Sequence, residues 1–258
     1  MKPALAYREP QPPKTWQDLP NGNTILSAIN LQLQPWWQKF FGYHLLKVGA
    51  LSAALETPHS MINHHISTST IEGKGSVIAD IDDLPFLQHS IDVCVLSHTL
   101  EFSLDPHHVV REANRVLIPD GHLVITGYNP YSLVGLNQLT PYRRQLSPWR
   151  EHFFSPMRVK DWLHLMGFEI LADKRCVFSN LHGTLHNGPV ASYMHSFFEK
   201  YLNAFGSVYV IIAKKRTLPL TPIKPKWQMR AKFRPINVPT MKVQDKTSTA
   251  MMNPKETK

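Results

Sequence analysis

The sequence predicts an α/β fold built on a doubly wound, mainly parallel sheet, and three neighbouring segments carry that prediction. Ile91 to Leu96 is an almost unbroken apolar run rich in β-branched residues, the composition of a strand covered on both faces. Asp105-Pro106 reads as an N-cap followed by proline in the first helical position, and Val109, Val110, Ala113, Val116 and Leu117 recur at helical spacing. Pro119-Asp120-Gly121 then stops the helix and turns the chain into a second apolar strand, His122 to Thr126, leading to Tyr128. Strand, helix and strand in succession make a crossover unit, and right-handed units of this kind build doubly wound sheets.

Residues 1–40 precede this unit as an extension laid over the sheet or its cleft. Thr24 to Gln34 carries Ile25, Leu26, Ala28, Ile29, Leu31 and Leu33 in a pattern suited to a short helix with one apolar face. Trp36, Trp37, Phe40 and Phe41 follow it, as packing beside the first strand or as lining of a pocket. The first strand is expected at His44 to Val48 and the second over Met61 to Ile66. Beyond the crossover unit, Ser155-Pro156 opens a helix through Val159, Trp162, Leu163 and Met166, which Gly167 ends. Phe168 to Phe178 and Val208 to Ala213 supply two further strands.

Length and charge divide the chain. With 258 residues and 43% apolar content, it can bury one sizeable core, assigned to residues 41–216. No apolar run approaches the roughly eighteen residues of a membrane span, and Arg8, Glu9, Pro10, Pro12 and Pro13 interrupt any secretory apolar region, so a cytoplasmic protein is expected. The net charge of +9 is concentrated late: from Lys214 onward there are twelve Lys or Arg against Asp245 and Glu256. Residues 217–258 also carry six prolines and little periodicity, the composition of a segment that does not fold alone. Trp227 and Phe233 interleave with Lys226, Arg230, Lys232 and Arg234, so this tail is either a solvated appendage or an arm for nucleic acid or an anionic membrane surface. Cys94 and Cys176 fall inside expected strands and read as buried small hydrophobes. Neither His64-His65 nor His107-His108 has the spacing of a helical metal pair, and no metal site is expected.

Across the central stretch, Asp80, Leu84-Pro85-Phe86, Ser90-Ile91-Asp92-Val93, Leu100-Glu101-Phe102, Asp105-Pro106, Arg111-Glu112, Arg115-Val116-Leu117 and Pro119-Asp120-Gly121 fall in a familiar order and spacing. In these residues the chain resembles the class I S-adenosylmethionine-dependent methyltransferases of the type-11 group. The resemblance is tight over about fifty residues and looser over the rest of the domain. It implies a Rossmann-like seven-stranded sheet whose last strand runs antiparallel between strands five and six. It also implies S-adenosylmethionine as cofactor and a methyl acceptor that no residue pattern identifies.

The resemblance places the cofactor at Val48 and Gly49 after strand one, and at Asp80 and Ile81 after strand three, where a carboxylate meets the adenine amino group and an apolar side chain covers the ring. Two departures stand out. Lys47 occupies the place of an acid and Leu51 that of a second glycine, while Met61 to Ile66 offers no carboxylate for the ribose. His65 can hydrogen-bond a ribose hydroxyl instead, and Glu56 and Glu72 read as surface charges. Asp82 and Asp83 are expected to face solvent. Ser97 and His98 end strand four, where open α/β sheets place ligands, and His98 is either a base or a structural histidine. Asn129, Tyr131, His152 and Phe153 are candidate substrate contacts after strand five, and Arg143, Arg144 and Arg150 suit an acidic substrate or a solvated loop. A methyltransferase and a non-catalytic, methyltransferase-like binding or regulatory protein are the two functional readings; the oligomeric state is not indicated.

Overall fold

The structure is a computed structural model and describes residues 12–70, 75–136, 148–149, 151–177 and 206–217. Glu72, Arg143, Arg144, Arg150, Phe178 and the basic tail after Thr217 lie outside the described residues. Seven strands form one sheet: β1 (His44–Val48), β2 (His64–Ser69), β3 (Val77–Ile78), β4 (Ile91–Ser97), β5 (Leu117–Tyr128), β6 (Phe168–Cys176) and β7 (Val208–Lys215). Their order is β3-β2-β1-β4-β5-β7-β6. The first five strands pair in parallel, and β7 runs antiparallel to both β5 and β6. From β1 the chain moves outward through β2 and β3 and then returns to β4 on β1's other side. The carboxyl ends of β1 and β4 are therefore the topological switch point, where this architecture leaves a crevice for a ligand.

Alternation along the strands sends side chains to two cores. Leu45, Val93, Val95, Val124 and Val210 meet Ile25, Ile29, Leu33 and Trp37 of α1 (Gly22–Trp37) on one face. On the other face Leu46, Cys94, Leu96, Leu123 and Ile125 meet Val109, Val110, Ala113 and Val116 of α3 (Pro106–Val116) and Val159, Trp162 and Leu163 of α5 (Pro156–Leu165). Two four-residue helices, α2 (Ala50–Ala53) and α4 (Leu133–Leu136), follow β1 and β5. Tight turns at Trp16–Asp18 and Leu100–Phe102 complete the elements among the described residues.

Asp105 caps α3 as its sequence suggests, its Oδ1 accepting from the backbone N–H of His107 at 3.0 Å and of His108 at 3.1 Å. Near the end of α3, Arg115 clasps Glu112 and also donates to the carbonyls of Leu84 and Phe86, each at 2.8 Å. That clasp fixes the segment Leu84-Pro85-Phe86 and hence the approach from Asp80. Buried Cys94 and Cys176 are free thiols, and burial pushes both up to about 12.

Five elements differ in their bounds from the sequence expectations. Helix α1 runs on to Trp37, so Trp36 and Trp37 lie within it; Trp37 and Phe40 are buried, whereas Phe41 is 69% exposed. Helix α3 stops at Val116 because Leu117 already pairs with Ile91 in the sheet, and Pro119-Asp120-Gly121 forms an irregularity inside β5, with Asp120 at φ +62°. β2 lies later than Met61 to Ile66, since pairing from His44↔His64 to Val48↔Thr68 sets its register against β1. β6 ends at Cys176 and β7 extends to Lys215.

Candidate functional site

A hollow of about 300 Å³ opens at the switch point, at the lower end of the size range of small-molecule sites. Its floor is the turn from β1 into α2. Gly49 there adopts φ +89° and ψ 158°, a backbone conformation that L side chains rarely take. A Cβ at Gly49 would have only Thr99 as neighbour, with Oγ1 at 3.6 Å, so space remains open above the turn. Hydrogen bonds hold this floor to β2 and β4. Gly49 N–H donates to Thr68 O at 2.9 Å, Thr99 Oγ1 donates to Val48 O at 3.0 Å, and Ser97 N–H donates to Ser52 Oγ at 2.7 Å.

Side chains from three further strand ends surround the floor. Ser69 and Thr70 come from the end of β2, Asp80, Ile81 and Asp82 from beyond β3, and Ser97 and His98 from the end of β4. Asp80 is exposed at the mouth. Asp82 is half-buried and accepts from Ser103 Oγ at 3.2 Å, which corrects its expected solvent-facing position. Burial, together with the carboxylates of Asp80 and Asp105, holds its carboxyl above the usual range, against the opposing pull of Ser103 and His108. No lysine or arginine is among the described residues lining the hollow, so its charged side chains are carboxylates.

Behind the hollow lies a buried polar cluster. His98 sits at φ +50° with its ring enclosed between Trp16, edge-on at 5.6 Å, and Tyr128 at 4.4 Å. Its Nδ1 is 3.4 Å from Glu101 Oε1, but is not aligned to bond; that oxygen accepts the Tyr128 N–H at 2.7 Å. Both imidazole nitrogens, Glu101 Oε2 and the hydroxyls of Tyr128 and Tyr209 have no hydrogen-bond partner among the described residues. Burial, with the Glu101 carboxylate adding to it, pushes both phenols well above their ordinary range, so they remain protonated donors. Buried groups of this kind mark a place where water or a ligand completes the bonding.

Five of the residues singled out from sequence therefore share one hollow: Gly49, Asp80, Ile81, Ser97 and His98. Val48 stands directly behind it, its side chain in the core and its carbonyl taken by Thr99. His65 lies elsewhere. It pairs with Leu45 near the start of β2, and its Nε2 is 2.7 Å from Ile62 O, because the true strand end is Ser69. Lys47 also turns away, its buried ammonium donating to Leu55 O at 2.7 Å, and burial lowers its pKa. Asn129 is buried and structural in its bonding: Nδ2 donates to Gly206 O at 3.0 Å and Oδ1 accepts from Tyr131 N–H at 3.1 Å. Tyr131 and His152 are exposed and do not line the hollow, while Phe153 packs on Tyr128 at 5.0 Å. Reading the sequence missed Trp16, Thr99, Glu101 and Pro12-Pro13; only Glu101 lay in a recognised motif, with no role attached. Among the described residues no group of three or more His, Cys, Asp or Glu can hold a metal, and no helix is long and apolar enough to cross a membrane.

Residues 43–125 match the family model described as a methyltransferase domain. An Escherichia coli relative, the uncharacterized protein YafS, is 42% identical over 221 residues, covering 86% of this chain and 88% of its own length. In fold, the chain is similar to a SAM-dependent methyltransferase from Archaeoglobus fulgidus, at TM-score 0.51 and 20% identity over 72% of this chain and 93% of the other. A second SAM-dependent methyltransferase, from Thermotoga maritima, aligns at TM-score 0.52 and 16% identity, over 78% of this chain and all (100%) of its own.

Proposed function

Because the chain belongs to the type-11 family of class I S-adenosylmethionine-dependent methyltransferases, we propose that it binds S-adenosylmethionine in the switch-point hollow and catalyses methyl transfer from it. The observation that carries this reading is the pairing of an open Gly49 turn with a lining whose charged groups, among the described residues, are Asp80 and Asp82. A ligand bearing a sulfonium and an ammonium suits a site lined by carboxylates, and backbone without a Cβ lets such a ligand approach closely. The residues present thus fit the group. When bound, S-adenosylmethionine supplies a methyl already activated by the sulfonium, so the protein's part is alignment and exclusion of water.

Each residue then has a task. Gly49 opens the floor. Asp80 accepts from the adenine amino group and Ile81 covers the ring. Ser69 and Thr70 occupy the strand-two position that His65 was expected to fill and present hydroxyls toward the ribose. Phe102 and Leu104 shield the site from water. Lys47, whose charge would oppose a cationic ligand, is committed to Leu55 O instead, which answers one of the three reasons to favour a binding-only protein.

Isothermal calorimetry with S-adenosylmethionine and S-adenosylhomocysteine tests the reading. Saturable heat is expected, and Asp80→Ala should weaken binding by about ten- to a hundredfold, the worth of one hydrogen bond to a charged acceptor. No heat at millimolar ligand would overturn the proposal.

A further inference from the structure

Residues Pro12 to Leu19 cross the carboxyl edge of the sheet and reach the hollow, where Pro12 and Pro13 form part of its wall. The segment is held at several points. Asp18 Oδ2 accepts from the backbone N–H of Lys14 and of Thr15, each at 2.9 Å, and closes a tight turn around Trp16. The turn abuts the start of α1 so closely that a Cβ on Gly22 would fall 1.6 Å from Trp16 O. Trp16 itself is only 3% exposed.

The indole of Trp16 makes two contacts that matter for the hollow. Its Nε1–H donates to Leu51 O at 3.0 Å, fixing a backbone carbonyl two residues past Gly49. Its ring meets the His98 ring edge-on, and the His98 nitrogens have no hydrogen-bond partner among the described residues. One side chain from outside the crossover unit therefore touches both the β1–α2 turn and the end of β4.

We propose that segment Pro12–Leu19 is a working part of the ligand site, and that Trp16 is a positioning residue whose indole N–H holds the turn after Gly49 in its ligand-accepting shape. The proposal rests on the cofactor reading above. Closure of the segment and occupancy of the hollow are then thermodynamically linked: each favours the other to the same degree. The segment stands in for part of what the chain lacks at Leu51, by walling the ligand with Pro12 and Pro13 and by stiffening the floor.

The test uses the full chain, S-adenosylhomocysteine as probe, and Trp16→Phe, which keeps an aromatic ring against His98 but removes the bond to Leu51 O. Calorimetry of the variant should show affinity lowered roughly two- to tenfold, the worth of one buried neutral hydrogen bond. In the wild type, hydrogen exchange of the Trp16 indole N–H and of the Asp18 and Leu19 amides should slow by about tenfold or more at saturating ligand, since local opening is then opposed by binding. A merely structural tryptophan would lower thermal stability without moving either readout. If the wild type binds S-adenosylhomocysteine but Trp16→Phe binds equally well and exchange at residues 16–19 is unchanged, the proposal is overturned while the cofactor reading stands. If the wild type does not bind at all, both fall.

Discussion

Substituting Gly49 with alanine separates two kinds of cost that a glycine can conceal. The steric part is small: the added Cβ would have Thr99 Oγ1 at 3.6 Å and Thr99 Cγ2 at 3.9 Å, ordinary contact distances. The conformational part is not, because φ +89° with ψ 158° is nearly closed to residues carrying a Cβ, and holding one there costs about 1–3 kcal/mol. Gly127 is the opposite case. Its φ lies outside the left-handed region, but a Cβ would fall 2.4 Å from the Tyr209 hydroxyl and 2.6 Å from Glu101 Oε1, both buried. Overpacking there costs about 1–3 kcal/mol by displacing side chains, and it disturbs the Glu101 bond to Tyr128 N–H. The two variants thus resemble each other in stability and differ in where the damage falls. For a domain of this size 1 kcal/mol lowers Tm by about 2–4 °C, so Gly49→Ala should lose about 2–12 °C, or else relax its turn and lose affinity for S-adenosylhomocysteine. Thermal denaturation followed by circular dichroism, with titration calorimetry on the same sample, measures both. A variant with wild-type midpoint and wild-type affinity would refute the argument that this turn is held in a glycine-only conformation.

Three further outcomes follow from the geometry. Asp105→Ala removes the acceptor for two N–H groups at the start of α3 and should cost about 0.5–2 kcal/mol in urea denaturation, with an unchanged m-value. Arg115→Ala frees the carbonyls of Leu84 and Phe86 and should speed hydrogen exchange in residues 83–88 more than elsewhere, which mass spectrometry of peptides can read. Lys47 has a folded-state pKa lowered by burial, so the unfolded chain holds its proton to higher pH, up to about 10.4. Raising the pH through that window should therefore stabilise the wild type relative to Lys47→Met, and equal pH slopes for the two proteins between pH 7 and 10 would contradict the burial of the ammonium.

The crossover unit could be read from sequence because every local signal agreed with its neighbours. Asp105 and Pro106 mark one helix end, and β4 is apolar on both faces because both faces are covered. β2 was harder, since Ser67, Thr68 and Ser69 look like a loop by polarity. They form the strand because β1 supplies the pairing, and with that shift His65 moves to the far end of the sheet. The direction of Lys47 was hidden for a related reason. Its charge is visible in the sequence, but the carbonyl that receives it belongs to Leu55, eight residues on and beyond a four-residue helix. Trp16 lies in a proline-rich, aperiodic stretch, and nothing local says that its partner is Leu51. Long-range pairing of single polar atoms leaves no periodic trace.

The two margins of the sheet bear on how this protein behaves at high concentration. At one margin β3 is two residues long, too short to template a strand. At the other, β6 breaks register between Ile170 and Ala172 and carries Glu169, Asp173, Lys174 and Arg175. Asp173 is engaged by Lys160, and Glu169 by Arg216. A strand from a second molecule laid along β6 would have to follow a bent edge and part those ion pairs, so the row of backbone groups that makes sheet proteins prone to fibre growth is interrupted on both sides.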